Sequence, residues 1–333
     1  MISRKRVSSG FSAAGMSLAL LASALTGCSG GGSTMNPITP AAPAQPPGLV
    51  PASDGIIATL NIDRNAAGEV ATHVLSAAAH KLPLLSERVP QANQRAVQAF
   101  YDLNNHGGPV LSSATQYNIY VNCAGTCWGS QQPSTFLSNY NTSTMIHLTD
   151  QYVGTASNGR YPYGGGFLVN YNTSNQLGDQ DMYNIVYAVA KTYGTGYNKM
   201  YHVFFQQGVR ECSTDAGGCY AVSGGYCAYH SYVNFNDIGH TIYSFEGYQN
   251  ISGCQVTGSS PNGVLVDSTA STLSHEETEA ITDPDLNAWW NSNTGYEIGD
   301  ICGGSDGIVS LSGHSYNIQR EYSNKYHACT FSP

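Results

Sequence analysis

Nine cysteines run through the 333 residues, and their use constrains the fold more than any other residue type. Cys28 stands apart, directly behind an apolar stretch. The remaining eight are Cys123, Cys127, Cys212, Cys219, Cys227, Cys254, Cys302 and Cys329. An even number fits a disulfide set formed in an oxidising compartment. Of the roughly 105 connectivities open to eight cysteines, pairing of neighbours is expected: 123–127, 212–219, 227–254 and 302–329. Short loops close at the least entropic cost. A zinc site on Cys123-x3-Cys127 is the competing use, and no second matching pair stands near it.

The N-terminus agrees with that compartment. Arg4, Lys5 and Arg6 precede an apolar run from Phe11 to Leu25, too short for a permanent span and of the length of a signal peptide. The run ends in Leu25-Thr26-Gly27-Cys28, which resembles the lipobox of bacterial lipoprotein signals. Residues 1–27 are therefore expected to be removed, and Cys28 to carry a lipid that anchors the chain to a membrane. The expected location is periplasmic or at the cell surface. Setting aside the three leader cations, 13 Lys+Arg become 10 against 22 Asp+Glu, a net charge near −12. That balance argues against nucleic acid or anionic headgroups as partners. No glycine-rich phosphate loop follows a strand in the required way, so no nucleotide is expected, and Gly164-Gly165-Gly166 reads as a turn.

Residues 28–53 are rich in Gly, Ser, Pro and Ala and read as a flexible tether. Residues 54–105 combine a strand-like run, Gly55 to Ile62, with a helical pattern from Gln91 to Leu103, and form an N-terminal extension or a pro-segment. The main domain, 106–333, is long enough for one sizeable core. Strands are expected at Tyr117–Asn122, Thr144–Leu148, Gly166–Asn170, Tyr201–Phe205 and Thr241–Phe245. Helices are expected at Pro133–Tyr140, Asp179–Tyr193 and Ser268–Thr282. Such interleaving gives an α+β or α/β domain with one mixed sheet, stiffened by disulfides, with a zincin-like helix.

That helix carries Ser274-His275-Glu276-Glu277-Thr278-Glu279. Asp267 or Ser268 can cap it, and Asp283-Pro284 ends it. His275 and Glu279, four apart, share a face, with Glu276 beside them. The pattern is that of a zinc-hydrolase helix, His-Glu-x-x-His, with glutamate for the second histidine. Under this reading His275 and Glu279 bind zinc, and Glu276 is the general base toward a water that the metal acidifies. Glu297-Ile298-Gly299-Asp300 offers a third ligand. Alternation in an extended segment would turn only one of its carboxylates inward, and Glu297, with the longer reach, is preferred over Asp300. His230 is a further alternate, whereas His147 and His202 read as satisfied strand residues. The competing reading makes Glu276, Glu277 and Glu279 a solvated acidic face.

His275-Glu276-x-x-Glu279-x-x-Thr282-x-Pro284-x-x-Asn287-Ala288-Trp289, followed by Glu297-Ile298-Gly299-Asp300-Ile301-Cys302, resembles the plant EXORDIUM (phosphate-induced) family and its bacterial relatives. His106-Gly107-Gly108-Pro109-Val110, Cys227-Ala228-Tyr229-His230-Ser231, Ser260-Pro261-Asn262-Gly263 and Gln319-Arg320-Glu321-Tyr322-Ser323-Asn324 fit in order, so the resemblance covers 106–333. Tyr322, where relatives often have Trp, and Trp290, where Tyr is common, keep an aromatic ring. The resemblance implies an extracellular protein linked to cell-wall growth, sharing the His-Glu-x-x-Glu and Glu-Ile-x-Asp elements. Two functions follow as expectations. One is a zinc-dependent, peptidase-like hydrolase. The other is a non-catalytic protein binding cell wall or carbohydrate, with the same cluster used structurally and Trp289 and Trp290 as platforms.

Overall fold

The computed structural model describes residues 55–66, 70–84, 98–129 and 132–333. The leader, Cys28 and the tether lie outside these residues. So does most of the helix expected over 91–103, where Gln98–Tyr101 is a single 3-10 turn.

The chain begins with strands β1 (Ile56–Asn61), β2 (Val74–Pro83), β3 (Asn104–Asn105) and β4 (Thr115–Val121). Helices α1 (Pro133–Asn141) and α2 (Asp150–Val153) precede β5 (Tyr163–Asn170), helix α3 (Asp179–Tyr193) and β6 (Lys199–Phe205). The short pair β7 (Cys212–Ser213) and β8 (Gly218–Cys219) leads to β9 (Tyr226–Phe235) and β10 (Gly239–Glu246). After the long helix α4 (Val264–Thr282) come β11 (Trp289–Trp290), β12 (Asp306–Leu311), β13 (His314–Gln319), β14 (Glu321–Ser323) and β15 (Ala328–Thr330).

Seven strands make one mixed sheet in the order β1-β5-β4-β6-β10-β9-β2. The first five are parallel; β9 and β2 add antiparallel at the far end. The fold is α+β, as expected. The 54–105 segment supplies both edge strands, β1 and β2.

Period-two alternation sorts the strand residues between two cores. Tyr117, Ile119, Val121, Tyr201, Val203 and Phe205 meet Met182, Ile185, Val186 and Val189 of α3. On the other face Tyr120, Met200, Phe204 and Ile242 meet Phe136, Leu137 and Tyr140 of α1 and Leu273 and Ile281 of α4. Each fully buried side chain of this size contributes about 1.5–3 kcal/mol relative to exposure, so both faces hold their helices firmly. All four expected disulfides form: Cys123–Cys127, Cys212–Cys219, Cys227–Cys254 and Cys302–Cys329.

Two local expectations are corrected. Thr144–Leu148 is not a strand; Met145–Thr149 is a 3-10 turn leading into α2. Ser143 Oγ donates to Tyr140 O (2.7 Å) and accepts from Met145 N (3.2 Å), curling the chain where a strand would extend it. His147 therefore lies on that turn, 2.9 Å from Asp150. Gly164-Gly165-Gly166 is not a turn but part of β5. A Cβ at Gly164 would stand 2.5 Å from the Tyr117 ring and one at Gly165 2.4 Å from Ile57, so the glycines serve close packing between neighbouring strands.

Candidate metal centre

Helix α4 crosses the sheet face formed by β9 and β10 and is buried along nearly its whole length. Its hydroxyl residues make this tolerable by turning their donors back on the helix. Thr278 Oγ1 donates to Ser274 O (2.6 Å) and Thr282 Oγ1 to Thr278 O (3.1 Å). It begins at Val264, one turn before the expected start, and Asp267 accepts from Asn262 N and Nδ2 instead of capping. It ends at Thr282 as expected; there Asp283 Oδ1 accepts from Asn287 N and Ala288 N, both at 2.6 Å, and turns the chain back.

His275, Glu276, Glu277 and Glu279 are all 0 % exposed. The solvated-face reading is thereby corrected. Three imidazoles and four carboxylates converge: His275, Glu276 and Glu279 from α4, His230 from β9, His80 from β2, and Glu297 and Asp300 from the loop after β11. Register explains two of them, because His80 and His230 are direct cross-strand partners. Glu297 and Asp300 both point inward, contrary to the alternation argument. Their segment is not extended: it curls into a 3-10 turn at Asp300–Cys302, with Glu297 N donating to Asp300 Oδ2 (3.2 Å).

His230 is the most informative member. Its Nε2 lies 3.3 Å from Asp283 O, and a carbonyl only accepts, so the ring proton of neutral His230 sits on Nε2. On the other side of the ring, Nδ1 faces Glu279 Oε2 at 3.4 Å and Glu276 Oε2 at 3.6 Å. Both separations exceed the 2.7–2.9 Å of a charge-assisted hydrogen bond, and Nδ1 has no hydrogen-bond partner among the described residues. Donor atoms of a tetrahedral site with bonds near 2.1 Å stand about 3.4 Å apart. On the far side, His230 Nε2 is 3.5 Å from Glu297 Oε2.

Glu279 is the hub, common to all three groups of potential ligands. Its Oε1 lies 3.0 Å from His275 Nε2 and accepts from Asp300 N at 3.1 Å. Asp300 Oδ2 is bound by His80 Nε2 at 2.7 Å, while Oδ1 is 3.9 Å from His275 Nε2. Behind His275, Gln319 Nε2 lies 3.0 Å from Nδ1 and donates to Gly299 O at 2.7 Å.

Burial penalises every charge here. It works against ionised Glu279, yet the charge of His275, with His230 and His80, holds that carboxyl below its usual range. Burial pushes Glu297 well above it, reinforced by the negative fields of Glu279, Asp283, Asp300 and Glu276. Glu321, behind them, is raised by burial and by Glu279 and Asp300. Burial lowers His80, but Asp300 outweighs it and brings the imidazole up to about 9.

Glu277 leaves this group for the opposite side of the helix. Gln116 Nε2 donates to it, His202 Nε2 lies 2.6 Å from Gln116 Oε1, and Ser244 Oγ joins His202 Nδ1 (2.9 Å) to Glu246 (2.8 Å). His202 is thus a satisfied core histidine, lowered by burial to about 3. Trp289 and Trp290 pair with β3. Trp289 packs edge-on against Tyr152, and Trp290 stacks on His106 with ring centroids 3.5 Å apart.

Comparison with protein-family models, curated proteins and solved structures finds no match to this chain. No helix among the described residues is long and apolar enough to cross a membrane.

Proposed function

We propose that this chain is an exported, lipid-anchored, EXORDIUM-like protein whose domain holds a divalent cation, zinc in the first instance, and uses it to hydrolyse a peptide or cell-wall polymer. One observation carries the metal reading: His230 Nδ1, buried and without a hydrogen-bond partner among the described residues, lies 3.4 Å from Glu279 Oε2 and 3.6 Å from Glu276 Oε2, within a cluster whose three ligand groups share Glu279. His230, Glu276 and Glu279 are the ligands at that point. Glu276, expected as the base, is here a ligand. Glu297, the remaining carboxyl group facing His230, takes the base role on the side where His80 meets solvent, ionised once a bound cation offsets the burial and the negative fields that raise it. A bound divalent cation supplies Lewis acidity toward a water or carbonyl oxygen.

Metal analysis of protein purified without chelator tests this. The wild type carries cation near stoichiometry, and Glu276→Gln and His230→Ala lose it at that position. Glu297→Gln keeps the metal and loses at least about 100-fold in hydrolysis, in the range of general-base removal. Metal-free wild type ends the proposal. Complete burial of His230, Glu276 and Glu279 favours a second reading, in which the cluster is structural and the protein binds wall polysaccharide. In that case removal of metal lowers thermal stability, no hydrolysis appears, and replacing Trp290 weakens retention on polysaccharide.

A further inference from the structure

Resting on that metal reading, we propose that the centre is dinuclear, with the Glu279 carboxylate bridging two divalent cations. The two oxygens of Glu279 serve different partners. Oε2 faces His230 Nδ1, and Oε1 faces His275 Nε2. Both imidazole nitrogens are buried and are without a hydrogen bond among the described residues, so one carboxylate stands between two buried imidazoles. This is how a bridging carboxylate is placed in co-catalytic pairs whose metals stand about 3.5–4 Å apart.

The second position has its own donor set: His275 Nε2, Glu279 Oε1 and Asp300 Oδ1. The His275–Glu279 separation of 3.0 Å is the edge of an octahedral site with bonds near 2.1 Å, about 3.0 Å. Asp300 is held for this role. Its Oδ2 is occupied by His80 Nε2 at 2.7 Å and Glu297 N at 3.2 Å, which leaves Oδ1 toward His275. The Asp300–His80 pair is then an outer-shell clamp of the kind that orients carboxylate ligands. As placed, Gln319 Nε2 lies 3.0 Å from His275 Nδ1 and donates to Gly299 O at 2.7 Å, so ligation by His275 Nε2, which puts that ring's proton on Nδ1, requires the Gln319 amide to draw back from the ring.

The test uses the full wild-type protein, stripped with chelator and titrated with Co2+ while its electron paramagnetic resonance is followed. Two equivalents are expected to bind, and the signal per cobalt falls with the second as the ions couple through Glu279. His275→Ala and Asp300→Asn should each keep one equivalent with an uncoupled signal; circular dichroism checks their fold. A single wild-type equivalent, or two that never couple, overturns the dinuclear centre while leaving the proposed function standing. No bound cobalt overturns both.

Discussion

Gly299 shows how one residue with no functional group can control the centre. Its backbone is ordinary (φ −79°), so conformational freedom is not what it supplies. A Cβ there would lie 2.4 Å from His275 Nδ1 and 2.6 Å from Cε1, and the imidazole cannot yield without leaving Glu279. Gly299→Ala should destabilise the fold by about 1–3 kcal/mol, as overpacking does, and weaken metal binding by about 10–100-fold, as disturbed outer-shell support does. Chemical denaturation and competition with a chromophoric chelator measure the two effects, and an unchanged affinity would show that His275 is not held from this side. At this scale the sequence was half legible. His275, Glu276 and Glu279 stand out because helical spacing gathers them, and Glu297 and Asp300 because they follow closely. His80 gave no signal, and Gln319 stood only within a stretch of resemblance, with no role attached. His80 enters through strand register with His230, and Gln319 through a hairpin end lying against α4; both are tertiary facts without local period.

At the scale of elements, α1, α3, α4 and the central strands were readable from apolar periodicity, whereas β2, β9 and the C-terminal hairpin were not. β2 has a run of Ser and Ala at its centre and mostly half-buried positions, and β9 is buried on both faces, so neither alternates. The elements most important to the site are thus the least patterned, and covalent links help hold them. Cys302–Cys329 spans 27 residues that include β12, β13 and β14, and so Gln319 and Glu321. Closing a loop of that length stabilises by about 3–4 kcal/mol in the chain-entropy account. A Cys302→Ser/Cys329→Ser chain should lose stability of that order in denaturant titration. Its metal affinity should fall as well, because Gln319 is then less well held behind His275. A double variant with wild-type stability and affinity would assign the bond no part in the site.

On the scale of the whole molecule, buried carboxyl groups outnumber buried cationic side chains among the described residues, and that sets the response to pH. Outside the metal centre, burial lifts Glu211 to about 8, against the lowering effect of the Tyr226 and Tyr229 hydroxyls, with Asp179 and Asp181 adding to the rise. Burial lifts Glu246 to about 8 as well, with Ser244 and Thr272 donating to it and Glu277 repelling it. A carboxyl raised in the folded state binds its proton more tightly there than in the unfolded chain. Its contribution to stability is complete below the unfolded value near 4.5 and is lost as pH rises toward 8. His202 runs the other way: lowered to about 3, it favours folding increasingly from pH 3 to about 6.5 and adds nothing further above that. Between pH 6.5 and 8 the carboxyls act without that opposition, so the thermal midpoint of chelator-treated protein should fall over this interval. Glu246→Gln, which keeps an acceptor and a donor beside Ser244 without a titrating proton, should flatten the decline while Glu211 continues to contribute. A midpoint that is level or rising from pH 6.5 to 8 in the wild type would mean that these carboxyls are compensated by charge elsewhere, and the same scan repeated with bound cation separates their contribution from that of the metal centre.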